Sequence, residues 1–180
     1  MSRRRWWVAV PTGILLVVLL AVLGVSALRP AGPGDLAGTG RPAPDFVLPK
    51  LDGTGTLRLA DLRGRPVVLN FWASWCAECR DEFSLLREAW PRYRQRDFVF
   101  VAVAFQDTVA SAAEFMRQEN PEWPAVLDGN SRAALSFGVR GIPQTYFVDR
   151  AGRIDHVQRG TLTRQSLSAH LNELDRGQSG

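Results

Sequence analysis

Two cysteines occur in the 180 residues, and they stand three apart within Trp75-Cys76-Ala77-Glu78-Cys79. Thiols at that spacing can be joined as a disulfide and parted again, provided the backbone holds them close and makes them unequal. The flanking sequence supplies both conditions. Pro66 to Trp72 (PVVLNFW) is a short β-branched and aromatic run, which predicts a buried central strand. Beyond it Cys79, Glu82, Phe83, Leu86, Trp90 and Tyr93 recur at threes and fours, the spacing of one helical face. Cys76 therefore falls at a helix N-terminus. Side chains three apart on a helix have Cβ atoms about 5–6 Å apart, which local adjustment brings into disulfide range. The unsatisfied amides and positive dipole end favour a thiolate at Cys76. Cys76 is thus expected to be the solvent-accessible attacking thiol and Cys79, one turn further in, the covered resolving thiol.

Two blander uses of the pair fit less well. Zinc would need two more ligands, but no other cysteine exists and His156 and His170 are far apart in sequence without ligand spacing. No metal and no cofactor is implied. A disulfide closing so short a loop removes little entropy from the unfolded chain, which makes a purely structural staple a weak reading.

The net charge of +4 misleads about partners. Residues 1–41 carry five arginines and one acid, Asp35, whereas residues 42–180 hold 17 basic and 17 acidic residues. The globular part is neutral, and nothing argues for nucleic acid. Trp6 to Leu28 is apolar and uncharged, broken only by Pro11, Thr12, Gly13, Gly24 and Ser26. It is long enough to cross a bilayer core of about 30 Å. Arg3, Arg4 and Arg5 before it should stay cytoplasmic, placing the rest of the chain outside the cytoplasm. Residues 1–28 are therefore expected to be a cytoplasmic tip and membrane anchor, with a cleaved signal peptide as the alternative because Val25-Ser26-Ala27 offers small residues. Residues 29–41 are rich in glycine and proline and read as a linker spanning about 20 Å on average and at most about 45 Å. The domain would then work close to the membrane.

A folded domain is expected over 42–176, followed by a short tail, 177–180. Phe46-Val47-Leu48 and Thr56-Leu57-Arg58 flank Asp52-Gly53-Thr54-Gly55, which is hairpin chemistry. Leu59 to Leu62 makes a short helical turn. Pro91 removes an amide and clashes with the preceding turn, so the active-site helix should kink or end near Trp90. Strands are expected at Asp97–Ala104 and Ala125–Asp128 and helices at Val109–Gln118 and Ser131–Phe137, the latter stopped by Gly138. A second hairpin joins Tyr146–Asp149 to Ile154–Gln158, and Leu162 to Leu174 forms an amphipathic closing helix. Strands alternating with helices predict an α/β fold with a mixed, mostly parallel sheet covered on both faces.

Phe71-Trp72-Ala73-Ser74-Trp75-Cys76-Ala77-Glu78-Cys79, followed by Gly141-Ile142-Pro143-Gln144-Thr145-Tyr146-Phe147, resembles the thioredoxin fold. More closely, the chain resembles the membrane-anchored TlpA/ResA/CcmG branch of thioredoxin-like proteins, over roughly residues 42 to 175. That branch reduces disulfides outside the cytoplasm, often during cytochrome c maturation. The resemblance implies a thiol–disulfide oxidoreductase with Cys76 as nucleophile, Cys79 as resolving thiol and Pro143 as a cis-proline facing the disulfide. Ile142 would offer its amide and carbonyl to an extended substrate, and Trp75 would lie against that substrate. The separation of 64 positions between Cys79 and Pro143 fits the branch's extra helix-and-strand insertion. Plain thioredoxin carries a buried acid where this chain has Asn70. The branch has an acid three residues after its second cysteine; Glu82 matches it and is expected to accept the Cys79 proton. Glu78 replaces the proline common before the second cysteine and should raise the first thiol's pKa somewhat. The implied partners are a disulfide-containing protein, with apocytochrome c leading by resemblance, and a membrane electron donor.

Three rivals remain. An oxidase of secreted thiols needs the same residues running in the opposite direction. A peroxidase of the peroxiredoxin class would want threonine or serine three before the cysteine and proline four before that, where Ala73 and Leu69 stand. A copper-delivery protein could use thiolates, but the related chaperones use a wider cysteine spacing and a histidine, and His156 is expected at an exposed strand position.

Overall fold

The computed structural model describes residues 39–177. The expected membrane segment, the linker up to residue 38 and the last three residues lie outside that range. Strand β1 (Val47–Pro49) pairs antiparallel with β2 (Thr56–Arg58) as a small separate sheet, and a 3-10 turn (Leu59–Leu62) follows. Then come β3 (Val67–Trp72), helix α1 (Ala77–Arg94), β4 (Val99–Phe105), α2 (Val109–Glu119), β5 (Ala125–Asp128), α3 (Arg132–Phe137), β6 (Gln144–Val148), β7 (Ile154–Arg159) and α4 (Arg164–Arg176). The five-stranded sheet runs β5-β4-β3-β6-β7. Among the described residues no helix is long and apolar enough to cross a membrane.

The sheet is mixed, but it is not mostly parallel. β3–β4 and β4–β5 are parallel, whereas β3–β6 and β6–β7 are antiparallel. The cause is the terminal hairpin, whose first strand enters the sheet beside central β3 instead of closing an edge.

Alternation along β3 sorts the core into two layers, because successive strand side chains point to opposite faces. Val68 and Trp72 join Phe83 and Leu86 of α1, Phe115 of α2 and Leu167 and Leu171 of α4. Val67, Leu69 and Phe71 join Phe137 of α3, together with Phe46, Leu48 and Leu57 from around the small hairpin. Asn70 therefore lies on the α1 side, a polar residue between Val68 and Trp72 on that face. Helix starts follow their caps: Thr108 Oγ1 accepts the Ser111 amide, and Thr163 with Ser166 closes a capping box on α4. Gly138, at φ 73°, ends α3 in the left-handed conformation that costs glycine least.

Of the two outcomes expected at Pro91, a kink or an end, the ending does not occur: α1 runs on to Arg94 with Pro91 inside. Interior proline costs about 3 kcal/mol, and the continued helix offsets this by packing. Trp90 lies 5.2 Å from Phe100 and 5.8 Å from Trp123, Tyr93 lies 5.1 Å from Phe98, and Tyr93 Oη donates to Asn172 Oδ1 of α4 at 2.8 Å. His156 and His170, distant in sequence, meet in the fold. β7 places His156 opposite Phe147, α4 packs over β6, and the two imidazoles stack with centroids 3.6 Å apart and planes at 20°. His156 is half-buried, not exposed. Rings stacked face to face do not converge on an ion, and among the described residues no group of three or more histidines, cysteines and acids could hold a metal.

Candidate active site

Strand β3 delivers the chain at its C-terminal end directly into the Cys76 cap of α1. Cys76 has extended backbone (φ −89°, ψ 108°), and its Sγ accepts the Cys79 amide at 3.1 Å. That contact occupies one of the orphan amides of the first helical turn, an electrostatic setting that favours negative charge on sulfur. The two cysteines are joined as a disulfide with Cα atoms 5.3 Å apart. Cys79 is 0 % exposed and Cys76 only 5 %. The expected asymmetry has the right sign, but Cys76 is nearly covered, because in the disulfide form its sulfur is folded back over the first turn of α1.

A loop from the neighbouring parallel strand fixes the approach to the pair. Asp107, just beyond β4, accepts the Ser74 amide at 2.6 Å and the Ser74 hydroxyl at 3.1 Å, and its Oδ1 also accepts the Thr108 amide at 2.7 Å. The Trp75 indole N–H donates to the Gln106 carbonyl at 3.1 Å. Trp75 is left 62 % exposed, a large apolar ring held in place beside the disulfide. Sequence reading missed Asp107. Its signal was its place at the carboxyl end of a parallel strand, the edge where α/β sheets gather their sites. Asp107→Ala should free the Ser74 amide. Hydrogen exchange at Ser74 is expected to quicken about tenfold, the loss of one hydrogen bond of roughly 1.4 kcal/mol; unchanged exchange would show that the loop holds itself.

The Ile142–Pro143 peptide bond is cis. Pro143 is buried, and Ile142 is half-buried against the cluster containing both cysteines. Gln144 pairs with Phe71 of β3, so the Gly141–Pro143 segment lies at the same sheet end as the Cys-x-x-Cys turn.

Glu82 lies one turn after Cys79 on the inward face of α1 and is 0 % exposed. Its Oε1 accepts the Leu162 amide at 2.8 Å and its Oε2 accepts Asn70 Nδ2 at 2.7 Å. Burial pushes its pKa up to about 7, against the opposing pull of those two donors. A carboxyl group one helical turn from a covered thiol, with its pKa raised by burial, is suited to exchanging a proton with it. Glu78 and Asp81, by contrast, lie on the exposed side of the helix.

Residues 39–157 match the AhpC/TSA family. The chain is 31% identical over 162 residues to the thiol-disulfide oxidoreductase ResA of Geobacillus thermodenitrificans, covering 89% of this chain and 92% of that protein. It is 29% identical over 179 residues to ResA of Bacillus subtilis, covering 99% and 98%. Among solved structures, a Chlorobium tepidum protein described as a thiol:disulfide interchange protein DsbE aligns with a TM-score of 0.73 at 30% identity, over 77% of this chain and 98% of that one.

Proposed function

Since the chain belongs to the AhpC/TSA family and is a thioredoxin-like thiol–disulfide oxidoreductase, we propose that it works as a membrane-anchored reductant of disulfides in extracytoplasmic proteins. The observation that carries the site assignment is the Cys76–Cys79 disulfide at the start of α1, with an acid of raised pKa buried one turn behind it.

In the reduced protein the Cys76 thiolate attacks one sulfur of a substrate disulfide. A Cys76–substrate bond forms and the other substrate sulfur leaves as thiolate. Cys79 then gives its proton to Glu82 and its sulfur attacks Cys76. The intramolecular disulfide re-forms, and the second substrate thiolate leaves. The substrate gains two electrons and the pair loses two, which a membrane electron donor restores. The exposed face of Trp75 and the backbone of Ile142, with Pro143 behind it, are the surfaces offered to the substrate chain. The 1–28 anchor and 29–41 linker hold the domain near membrane-bound partners. Apocytochrome c in its disulfide form is the leading substrate, on the strength of the family resemblance in the sequence.

A peroxidase would need a hydroxyl beside the reacting sulfur, and position 73 is a fully buried alanine. Copper delivery would need a third ligand, and His156, opposite Phe147, stands three residues along the strands from the Gln144–Arg159 pair at the active-site end. The direction of electron flow is tested by equilibrating Cys76/Cys79 with glutathione. A potential near −270 mV is expected of a reductant, whereas one near −120 mV would make the protein an oxidase of secreted thiols.

A further inference from the structure

Both oxygens of Glu82 face donors: the Leu162 amide on Oε1 and the Asn70 carboxamide on Oε2. That is an arrangement for a carboxylate. A protonated Glu82, as it must be after taking the Cys79 proton, would set its new O–H among groups that also donate. The Leu162 amide is backbone and can only donate. Asn70 is different, because a carboxamide is a donor at one end and an acceptor at the other, and exchanging the ends moves no heavy atom appreciably.

Asn70 is bound in the manner such an exchange requires. Its Nδ2 donates to Glu82 Oε2 at 2.7 Å and to Thr145 Oγ1 at 2.9 Å, the hydroxyl directly across from it on β6. Its Oδ1 is buried without any hydrogen-bond partner, in a residue only 2 % exposed. Turned over, Oδ1 would lie at both of those distances. It could accept the acid proton of Glu82 and the hydroxyl proton of Thr145, since the threonine hydroxyl serves equally as donor or acceptor. We propose that Asn70 is a positioning residue that turns its carboxamide over as Glu82 gains or loses a proton, giving the buried acid a matched partner in both states.

This inference rests on Glu82 receiving the Cys79 proton. Nothing else at the site titrates against it. β3 and β6 present Asn70 and Thr145, the segment before α4 presents the Leu162 amide, and α1 presents Cys79. His170, which α4 turns into this layer, stacks on His156 and lies against Phe147, and no charged side chain among the described residues shifts Glu82.

The test is NMR of the oxidised full chain in detergent, with 13C-labelled glutamate and 15N-labelled asparagine, from pH 5 to 9. Above the Glu82 midpoint both Asn70 Nδ2 protons are hydrogen-bonded. Below it both should be released and shift upfield, with the same midpoint as the Glu82 carboxyl carbon. Glu82→Gln mimics the protonated acid, its Nε2 replacing the O–H, so its Asn70 signals should hold the acidic position at every pH. A Glu82 carbon that titrates while the Asn70 protons stay fixed would overturn the inference and leave the proton-acceptor role standing. A Glu82 carbon that does not titrate in this range would overturn both.

Discussion

Cys76→Ser should abolish disulfide reduction, with the insulin-disulfide or apocytochrome rate falling by at least about 10³-fold, as for loss of an enzymatic nucleophile. A serine hydroxyl at the same helix cap stays protonated at neutral pH, so neither the helix end nor the amide that Cys76 accepts can make it attack. Cys79→Ser should behave differently. Attack by Cys76 proceeds, resolution cannot, and the chain accumulates as mixed disulfides with its partners in membrane preparations. Both variants should fold, because a loop of this size contributes little chain entropy when closed. Trapping by Cys76→Ser but not by Cys79→Ser would reverse the roles, and residual activity above a tenth in Cys76→Ser would remove the nucleophile assignment altogether.

Much of this site was legible because its parts are adjacent in the chain. The strand, the cysteine turn and the helix occupy one continuous stretch, and strand and helix periodicities meet at Cys76. What stayed hidden depends on partners brought in from elsewhere. His156 and His170 touch only because β7 pairs with β6 while α4 returns over the same sheet, which no spacing between the two residues encodes. Asp107 reaches Ser74 across 33 positions. Asn70 looked like the mere absence of thioredoxin's acid. Its work became visible only once α1 placed Glu82, and β6 placed Thr145, against the same face of β3. Pro91 shows the converse failure, a correct local cost outweighed by tertiary packing of Trp90 and Tyr93.

Glu82→Gln should separate catalysis from stability through pH. Burial raises the folded-state pKa of Glu82 from 4.5 to about 7. For an acid raised in this way, the stabilisation of the protonated form is fully present below the unfolded value of 4.5 and is lost as pH rises through about 7. The full swing amounts to about 3 kcal/mol. Glutamine has no proton to lose, so the stability of Glu82→Gln relative to wild type should improve by that amount between pH 4 and pH 8 in denaturant melts of the oxidised proteins. Other titrating groups are common to both and cancel. Activity should move the other way. Without a proton acceptor one turn from the covered thiol, the reduction rate at pH 7 should fall roughly 10²-fold and recover as pH approaches the Cys79 pKa, where hydroxide removes the proton instead. Stability curves that stay parallel would show that the buried carboxyl is not raised. An unchanged rate and pH profile in a folded Glu82→Gln would show that Cys79 gives its proton elsewhere.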